Sequence, residues 1–219
     1  LGRTGSFFSH QQFGVQPDIV SAAKGLGGGL PIGAVLFGEK TMDTMDAGTH
    51  GSTFGANPIK LHDCSTEKAV SAGVALAKEA IRETGRPAWV ALDIGPTGRL
   101  LSPMGDLDFE TAYKAFKEVM LYGSEAGVDV IHIETMSDTY ELKAAVLAAK
   151  ENTALPVFVT TIFDERGKLL TGADVPSVVA LLEGLRVDAL GINCGMGPRQ
   201  MLPVLDALLK YTSLPVIVK

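Results

Sequence analysis

From residue 65 onward, apolar positions along the chain alternate between two spacings. Apolar side chains recur at helical spacing over residues 65–84, 109–126, 139–152, 175–185 and 198–211. Short, nearly continuous apolar runs lie between and after them, at 88–94, 129–135, 156–161, 189–194 and 215–219. Such runs predict buried strands, and strands that alternate with helices predict βαβ units around a parallel sheet.

Polar residues gather at one end of the predicted strands. Asp93, Glu134, Thr160 and the pair Asn193–Cys194 each stand at or near the end of an apolar run. In a (β/α)₈ barrel the carboxyl ends of the strands converge on one site, whereas in an open sheet they spread along an edge. Four similar strand ends in succession favour the barrel. We therefore predict an α/β fold, a partial (β/α)₈ TIM barrel of about five to six strands, since a full barrel has eight.

Composition narrows the functional classes. The 219 residues are 46% hydrophobic and 20% charged, with a net charge of −6, which argues against a nucleic-acid surface. No apolar run is long enough to span a membrane. Two cysteines are too few for a disulfide framework and suit a reducing compartment, so we expect a cytoplasmic protein. The chain begins without methionine and ends on a strand-like run, so we expect both ends to lie inside a longer reading frame.

Cys194 and Glu134 are the strongest site candidates of this region. Cys194 stands in a glycine-rich turn, where its thiolate could be a nucleophile or a zinc ligand; the alternative is a small buried residue. Glu134 ends an apolar strand, and a carboxylate there needs a partner. That partner could be a substrate ammonium, a cation or a neighbouring strand-end group.

Three further residues have plainer interpretations. Asp93 precedes a Gly-Pro turn and could cap that loop instead of binding a ligand. His132 lies within a strand, which favours a packed side chain over a ligand. Cys64 precedes a predicted helix and is expected to be structural.

Four motifs in this region carry a family resemblance. They are Thr-Phe-Gly-Ala-Asn at 53–57, Asp-Ile-Gly-Pro-Thr-Gly at 93–98, Ile-Glu-Thr-Met-Ser-Asp at 133–138 and Gly-Ile-Asn-Cys at 191–194. With them, residues 53–219 resemble the homocysteine S-methyltransferase family, and most closely the homocysteine-binding barrels of cobalamin-dependent methionine synthases.

The resemblance implies a function and a set of site residues. In that family three cysteine thiolates hold zinc, and Cys194 matches the first of them. Glu134 matches the acidic residue that holds the homocysteine amino group, Asn193 matches a residue beside the metal, and Thr53 belongs to the first motif. The expected partners are homocysteine and a methyl donor, methylcobalamin or another. The two later cysteine ligands and the first strand of the pattern are absent from these residues, so we expect poor zinc binding and no methyl transfer by this chain alone.

The first fifty-odd residues have a different character. Lys24 precedes four glycines within five residues, where a lysine could form a Schiff base or could simply lie on the surface beside a turn. Ser52 and Thr53 lie in a glycine-rich turn that could cradle a phosphate.

This segment resembles the class III pyridoxal-phosphate aminotransferases, especially the acetylornithine and ornithine aminotransferases. The resemblance rests on Gln-Pro-Asp-Ile-Val at 16–20, the Lys24 glycine run and Gly-Ser-Thr-Phe-Gly at 51–55. It implies a fragment of a PLP-transferase type I large domain, with Lys24 as the lysine that binds pyridoxal 5′-phosphate and Ser52 and Thr53 at its phosphate. The aspartate that partners the pyridine nitrogen would precede Leu1.

The two resemblances meet at residues 53–57, where both families carry a similar string. We therefore expect two parts, an aminotransferase-like fragment at 1–52 and a truncated homocysteine-binding barrel at 53–219, joined by recombination or by sequence misassembly. Three functions stay open: a homocysteine methyltransferase, inactive as truncated; a PLP aminotransferase fragment; and a non-enzymatic chimeric product. An unclosed barrel leaves unpaired strand edges, so we also expect self-association.

Overall fold

A computed structural model describes most of the chain, and its residues fall into two compact units. One is drawn from Leu1–Ala69 and Leu76–Pro87, the other from Val70–Ala75 and Ala88–Lys219. The described residues are 6, 8–22, 34–37, 40, 65–85, 87–195 and 197–219.

The first unit holds a short hairpin of strands. A 3-10 helix spans Ser9–Phe13, and strands β1 (Ile19–Ala22) and β2 (Ala34–Phe37) pair antiparallel. Helix α1 (Thr66–Thr84) contributes residues to both units and begins at Ser65, whose hydroxyl accepts a hydrogen bond from the backbone of Lys68, as a capping residue should.

The second unit is built on a parallel sheet. Among the described residues its five strands pair in chain order, each parallel to the next. The strands are β3 (Ala91–Ile94), β4 (Val130–Met136), β5 (Val157–Thr161), β6 (Ala189–Ile192) and β7 (Val216–Val218). The intervening helices are α2 (Phe109–Ala126), α3 (Thr139–Asn152), α4 (Val175–Gly184) and α5 (Pro198–Tyr211). Strands in chain order with helical crossovers form a partial, unclosed barrel, which confirms the predicted fold class.

Local signals set the helix bounds where the sequence predicts them. The Asp108 carboxylate accepts a hydrogen bond from Thr111 N at 3.0 Å and starts α2. Gly127 ends the same helix in the left-handed conformation, at φ 81°, which glycine adopts without strain. Four of the five strands are shorter than predicted, while β4 keeps its predicted length and is shifted by one residue. Strand β6 stops at Ile192, and two residues later the backbone of Cys194 turns into the left-handed region at φ 57°.

The two faces of the sheet differ. Leu92, Ile94, Ile131 and Ile133 are buried and alternate along β3 and β4. A Cβ on Gly123 of α2 would press on the Leu92 side chain, so this face is covered by the helices. The opposite face, here called the inner face, is the one that a closed barrel would enclose. It carries the alternate residues of each strand.

Helix α4 has a pH-sensitive cap. The Asp174 carboxylate accepts hydrogen bonds from the hydroxyl and backbone N–H of Ser177, at 2.6 and 3.1 Å, and pairs with Lys168 at 3.2 Å. The Ser177 bonds, and secondarily Lys168, lower the pKa of Asp174 from 3.8 to about 2. A depressed carboxyl pKa contributes stability above the unfolded-state value and loses it as pH falls towards the folded-state value.

Replacing Asp174 by asparagine should therefore flatten the acid limb of stability. The wild type should exceed Asp174→Asn in melting temperature above about pH 4, and the difference should close as pH falls towards about 2. Thermal melts across that range measure it. Asp206→Asn, on the exposed side of α5, controls for loss of one negative charge. A constant difference at every pH would show that the ionised cap contributes nothing.

Candidate functional site

A row of titratable side chains lies on the inner face at the carboxyl ends of β3 and β4. Asp93 pairs in register with His132, and Glu134 stands two residues further along β4. The His132 ring nitrogen Nε2 lies 3.5 Å from the Thr160 hydroxyl of β5, at the limit of a hydrogen bond. The structure thus brings His132, which the sequence favoured as a packed residue, into the same row as the strand-end carboxylates.

An ion pair crosses this face. The Lys219 ammonium bonds the Glu134 carboxylate, although β5 and β6 lie between β4 and the strand that precedes Lys219. Neighbouring strands are about 4.8 Å apart, so in a flat sheet the two backbones would be separated by about 14 Å. The direct contact therefore reflects a curved sheet whose concave side is the inner face. Glu134 has the partner that a strand-end carboxylate needs, and here that partner is a neighbouring strand-end group.

Burial and mutual charge shift the pKa values in this row. Burial, and then the negative charge of Glu134, raise the pKa of Asp93. Burial lowers the pKa of His132, which favours the neutral imidazole at neutral pH. The hydrogen bond to Glu134 raises the pKa of Lys219, so that ammonium stays charged. The inner face therefore presents carboxylates, a neutral imidazole and one ammonium beside each other.

Asn193 ties the ends of β4 and β6 together. Its side-chain Oδ1 accepts from the backbone N–H of Thr135 at 3.0 Å, and its Nδ2 donates to the Thr135 hydroxyl at 2.7 Å. Thr135 and Cys194 both have positive φ, 63° and 57°, which is uncommon for residues other than glycine. The buried Asn193 amide bonds to Thr135 where the register of β4 is irregular, and the Cys194 residue that follows Asn193 is exposed. Cys194 is thus not the small buried residue of the plainer interpretation.

Glu141 is a buried carboxylate that the sequence did not single out. It is 2% exposed, and its Oε1 accepts from the backbone N–H and the hydroxyl of Thr97, at 2.7 and 2.5 Å. These bonds fix the Gly-Pro-Thr-Gly loop after β3 to the first turn of α3. From the sequence, Glu141 could be noticed only by its position in helix α3. Its hydrogen-bond partner Thr97 lies 44 residues away, so no local pattern predicts the bond.

Other predicted site residues lie outside the described residues. They are Lys24, Ser52, Thr53 and Cys64. Their roles stay predictions.

The described side chains do not by themselves fit a zinc ion. Catalytic zinc takes three protein ligands, and within the described ranges no group of three or more His, Cys, Asp or Glu side chains could hold a metal. Cys194 is the single thiol in that part of the chain.

Two protein-family models match this chain. A family model described as homocysteine S-methyltransferase matches residues 49–219, more than half of the chain. The chain belongs to the homocysteine S-methyltransferase family. A second model, aminotransferase class-III, matches residues 1–82. The two matches overlap over residues 49–82, a stretch that includes the predicted junction at 53–57.

Curated relatives of both kinds, and solved structures of a homocysteine methyltransferase, are similar to this chain. Methionine synthase of Mycobacterium tuberculosis is 30% identical over 179 residues, covering 76% of this chain and 15% of that protein. The apo crystal structure of the homocysteine methyltransferase MmuM from Escherichia coli is 25% identical, with a TM-score of 0.61, covering 70% of this chain and 59% of that one. Acetylornithine aminotransferase of Haemophilus ducreyi is 56% identical over 70 residues, 32% of this chain and 17% of that protein.

This chain therefore spans less than a fifth of the curated relatives it matches. Of the helices described, none has the length and apolar character needed to cross a membrane.

Proposed function

We propose that residues 53–219 are a homocysteine-binding barrel segment of an S-methyltransferase, and that Glu134 receives the substrate ammonium. One observation carries this proposal. The Glu134 carboxylate is only 15% exposed, lies on the inner face at the end of β4, and already holds an alkylammonium, that of Lys219. A site that binds a lysine ammonium has the charge and geometry to bind the ammonium of an amino acid.

Each remaining residue has a proposed part in binding. Asn193 holds Thr135, the residue of β4 that follows Glu134, and Thr53 is proposed as a substrate contact from its motif. Cys194 is the thiol that this chain would offer to zinc; because the described residues do not complete that site, no step here depends on the metal. In methyl transfer the homocysteine sulfur bonds the methyl carbon, the bond from carbon to donor breaks, and its electron pair leaves with the donor. The thiol proton goes to water.

The donor is proposed as methylcobalamin or another methyl carrier, and this chain alone is proposed to be inactive. The two cysteines suit a reducing compartment, which supports the proposed cytoplasmic location. We also propose that neither nucleic acid nor a membrane is a partner. Self-association through β3 and β7, the edge strands of the described sheet, stays a prediction. Sedimentation as a monomer with one cooperative melt would contradict it.

Replacing Glu134 by glutamine should weaken homocysteine binding by about tenfold or more, because a charge-assisted hydrogen bond to the ammonium is lost. Isothermal titration of the chain with L-homocysteine measures the dissociation constant. Glu125→Gln, the same substitution at an exposed position of α2, is the matched control and should bind as the wild type does. Equal binding by wild type and Glu134→Gln would remove Glu134 from the site.

A second candidate function rests on the aminotransferase-like segment, whose relative is 56% identical over 70 residues. We propose that residues 1–52 derive from a class III aminotransferase in which Lys24 would bind pyridoxal 5′-phosphate and Ser52 and Thr53 its phosphate. A visible absorbance band after incubation with the cofactor, lost in Lys24→Ala, would support this function. No difference between the two proteins would contradict it.

The two-part organisation is itself a proposal. Two unrelated families match in series, and their overlap includes residues 53–57. We propose a junction there, made by recombination or by misassembly, and a non-enzymatic chimeric product is the third possible outcome. Long-read sequencing of the locus separates these origins, since an intact transcribed frame would exclude misassembly.

A further inference from the structure

The ion pair between Glu134 and Lys219 spans more of the sequence than any other ion pair among the described residues, the next longest being Lys150–Asp188, 38 residues apart. Arg99–Asp106 and Lys168–Asp174 each join side chains near in sequence, on the surface. Glu134 and Lys219 are 85 residues apart and meet across the inner face. Their charges lie together at the place where the substrate head group is proposed to bind.

The two partners are held differently. Glu134 is 15% exposed and stands within β4, so its carboxylate has little freedom. Lys219 is 57% exposed, and its backbone N–H donates to the Ile192 carbonyl at 3.1 Å, so its backbone is fixed while its side chain reaches into the open face. A lysine side chain on a four-carbon stem can move its ammonium by rotamer changes alone. The carboxylate is the fixed half of the pair and the ammonium is the mobile half.

An amino acid carries the same two charges as this pair. Its ammonium matches the Lys219 ammonium, and its carboxylate matches the Glu134 carboxylate. A zwitterion that inserts between the two side chains replaces one ion pair by two, and neither protein charge is left without a partner. Binding of an amine without a carboxylate would leave the Lys219 ammonium displaced and unpaired.

We propose that Lys219 is the specificity-determining residue that binds the α-carboxylate of the substrate, moving off Glu134 as the α-ammonium arrives. This inference rests on the proposed function.

The charges that face Lys219 support the assignment. Asp93 and Glu134 are negative, and both would repel a substrate carboxylate. His132 is favoured in its neutral form by burial. Lys219 is therefore the cation that the described inner face offers to an anion.

The test compares two ligands on three proteins by titration calorimetry. The ligands are L-homocysteine and 3-aminopropane-1-thiol, which keeps the thiol and the ammonium but has no carboxylate. The proteins are wild type, Lys219→Met, which keeps the length and loses the charge, and Lys219→Arg, which keeps the charge. We expect wild type to bind L-homocysteine at least about tenfold more tightly than the amine, a difference of about 1.4 kcal/mol.

Lys219→Met should weaken L-homocysteine binding by about tenfold and leave amine binding equal or tighter, because the competitor for Glu134 is gone. Lys219→Arg should keep the preference for L-homocysteine. Tighter binding of both ligands by Lys219→Met would show that Lys219 only blocks Glu134, and equal weakening of both would show a structural role; either overturns the inference.

Wild type alone keeps the inference testable if Lys219→Met does not fold, since equal affinity of wild type for the two ligands overturns it. Wild type that binds neither ligand overturns the proposed function instead, and the inference with it.

Discussion

Replacing Gly191 by alanine is expected to destabilise the barrel segment by about 3 kcal/mol or more, enough to leave little folded protein. Gly191 lies in β6, between β5 and β7, and a Cβ built on it would overlap the backbone carbonyl of Ile217. A flexible side chain could move aside, but a backbone carbonyl of the neighbouring strand moves only if β6 and β7 separate. The hydrogen bonds between these strands would be lost with that movement.

Urea denaturation followed by circular dichroism measures this effect. Gly184→Ala is the matched control, because the same methyl group at Gly184, the last residue of α4, meets nothing within 4 Å. Gly184→Ala should leave the free energy of unfolding unchanged or raise it slightly, because alanine has a higher helix propensity than glycine. Equal stability of Gly191→Ala and wild type would mean that β6 and β7 are not paired as the structure has them.

Replacing Asn193 by alanine is expected to cost about 2–3 kcal/mol of unfolding free energy and to weaken homocysteine binding. Two hydrogen bonds to Thr135 are lost, and the Thr135 backbone N–H loses its acceptor, the Asn193 Oδ1 atom. Thr135 has positive φ, so the strained backbone of β4 next to Glu134 loses the contact that holds it. Stability and binding should therefore fall together.

Thr135→Ser is the control for this change. Serine keeps both hydrogen bonds to Asn193 and removes one methyl group, so unfolding free energy should change by less than about 1 kcal/mol. Chemical denaturation and calorimetry on the same preparations give both quantities. Full homocysteine affinity in a destabilised Asn193→Ala would limit Asn193 to a structural role.

The helices and the strand order could be predicted from sequence because their causes are local. The bounds of α2 and α3 follow from capping residues and apolar spacing, and α5 begins at Pro198; the structure has all three helices where the sequence predicts them. Parallel pairing in chain order follows from the regular alternation of elements. Strand ends were less well predicted, since β6 ends at Ile192, two residues before the positive φ of Cys194, which no apolar pattern records.

The site could be predicted only in part, because its key contacts are non-local. Glu134 and Asn193 stand out as polar residues at strand ends. The partner of Glu134 depends on how far the sheet curves, which decides whether Lys219 can reach across from beyond β7. The burial of Glu141 depends on a loop 44 residues earlier, and the place of His132 depends on its register with Asp93.

Two family models match this chain in series and overlap over residues 49–82. The homocysteine S-methyltransferase match covers the described inner face and its charges. The aminotransferase class-III match covers the lysine and glycine run around Lys24.

The most direct test of the central claim maps L-homocysteine onto the chain by two-dimensional ¹H–¹⁵N NMR. We predict that backbone signals at the carboxyl ends of the strands shift on titration, those of Thr135, Asn193 and Lys219 most of all. Signals at the opposite ends of the same strands, such as Asp129 and Asp188, should stay in place. Shifts confined to those opposite ends, or no shift at saturating homocysteine, would contradict the assignment of the inner face as a homocysteine-binding site.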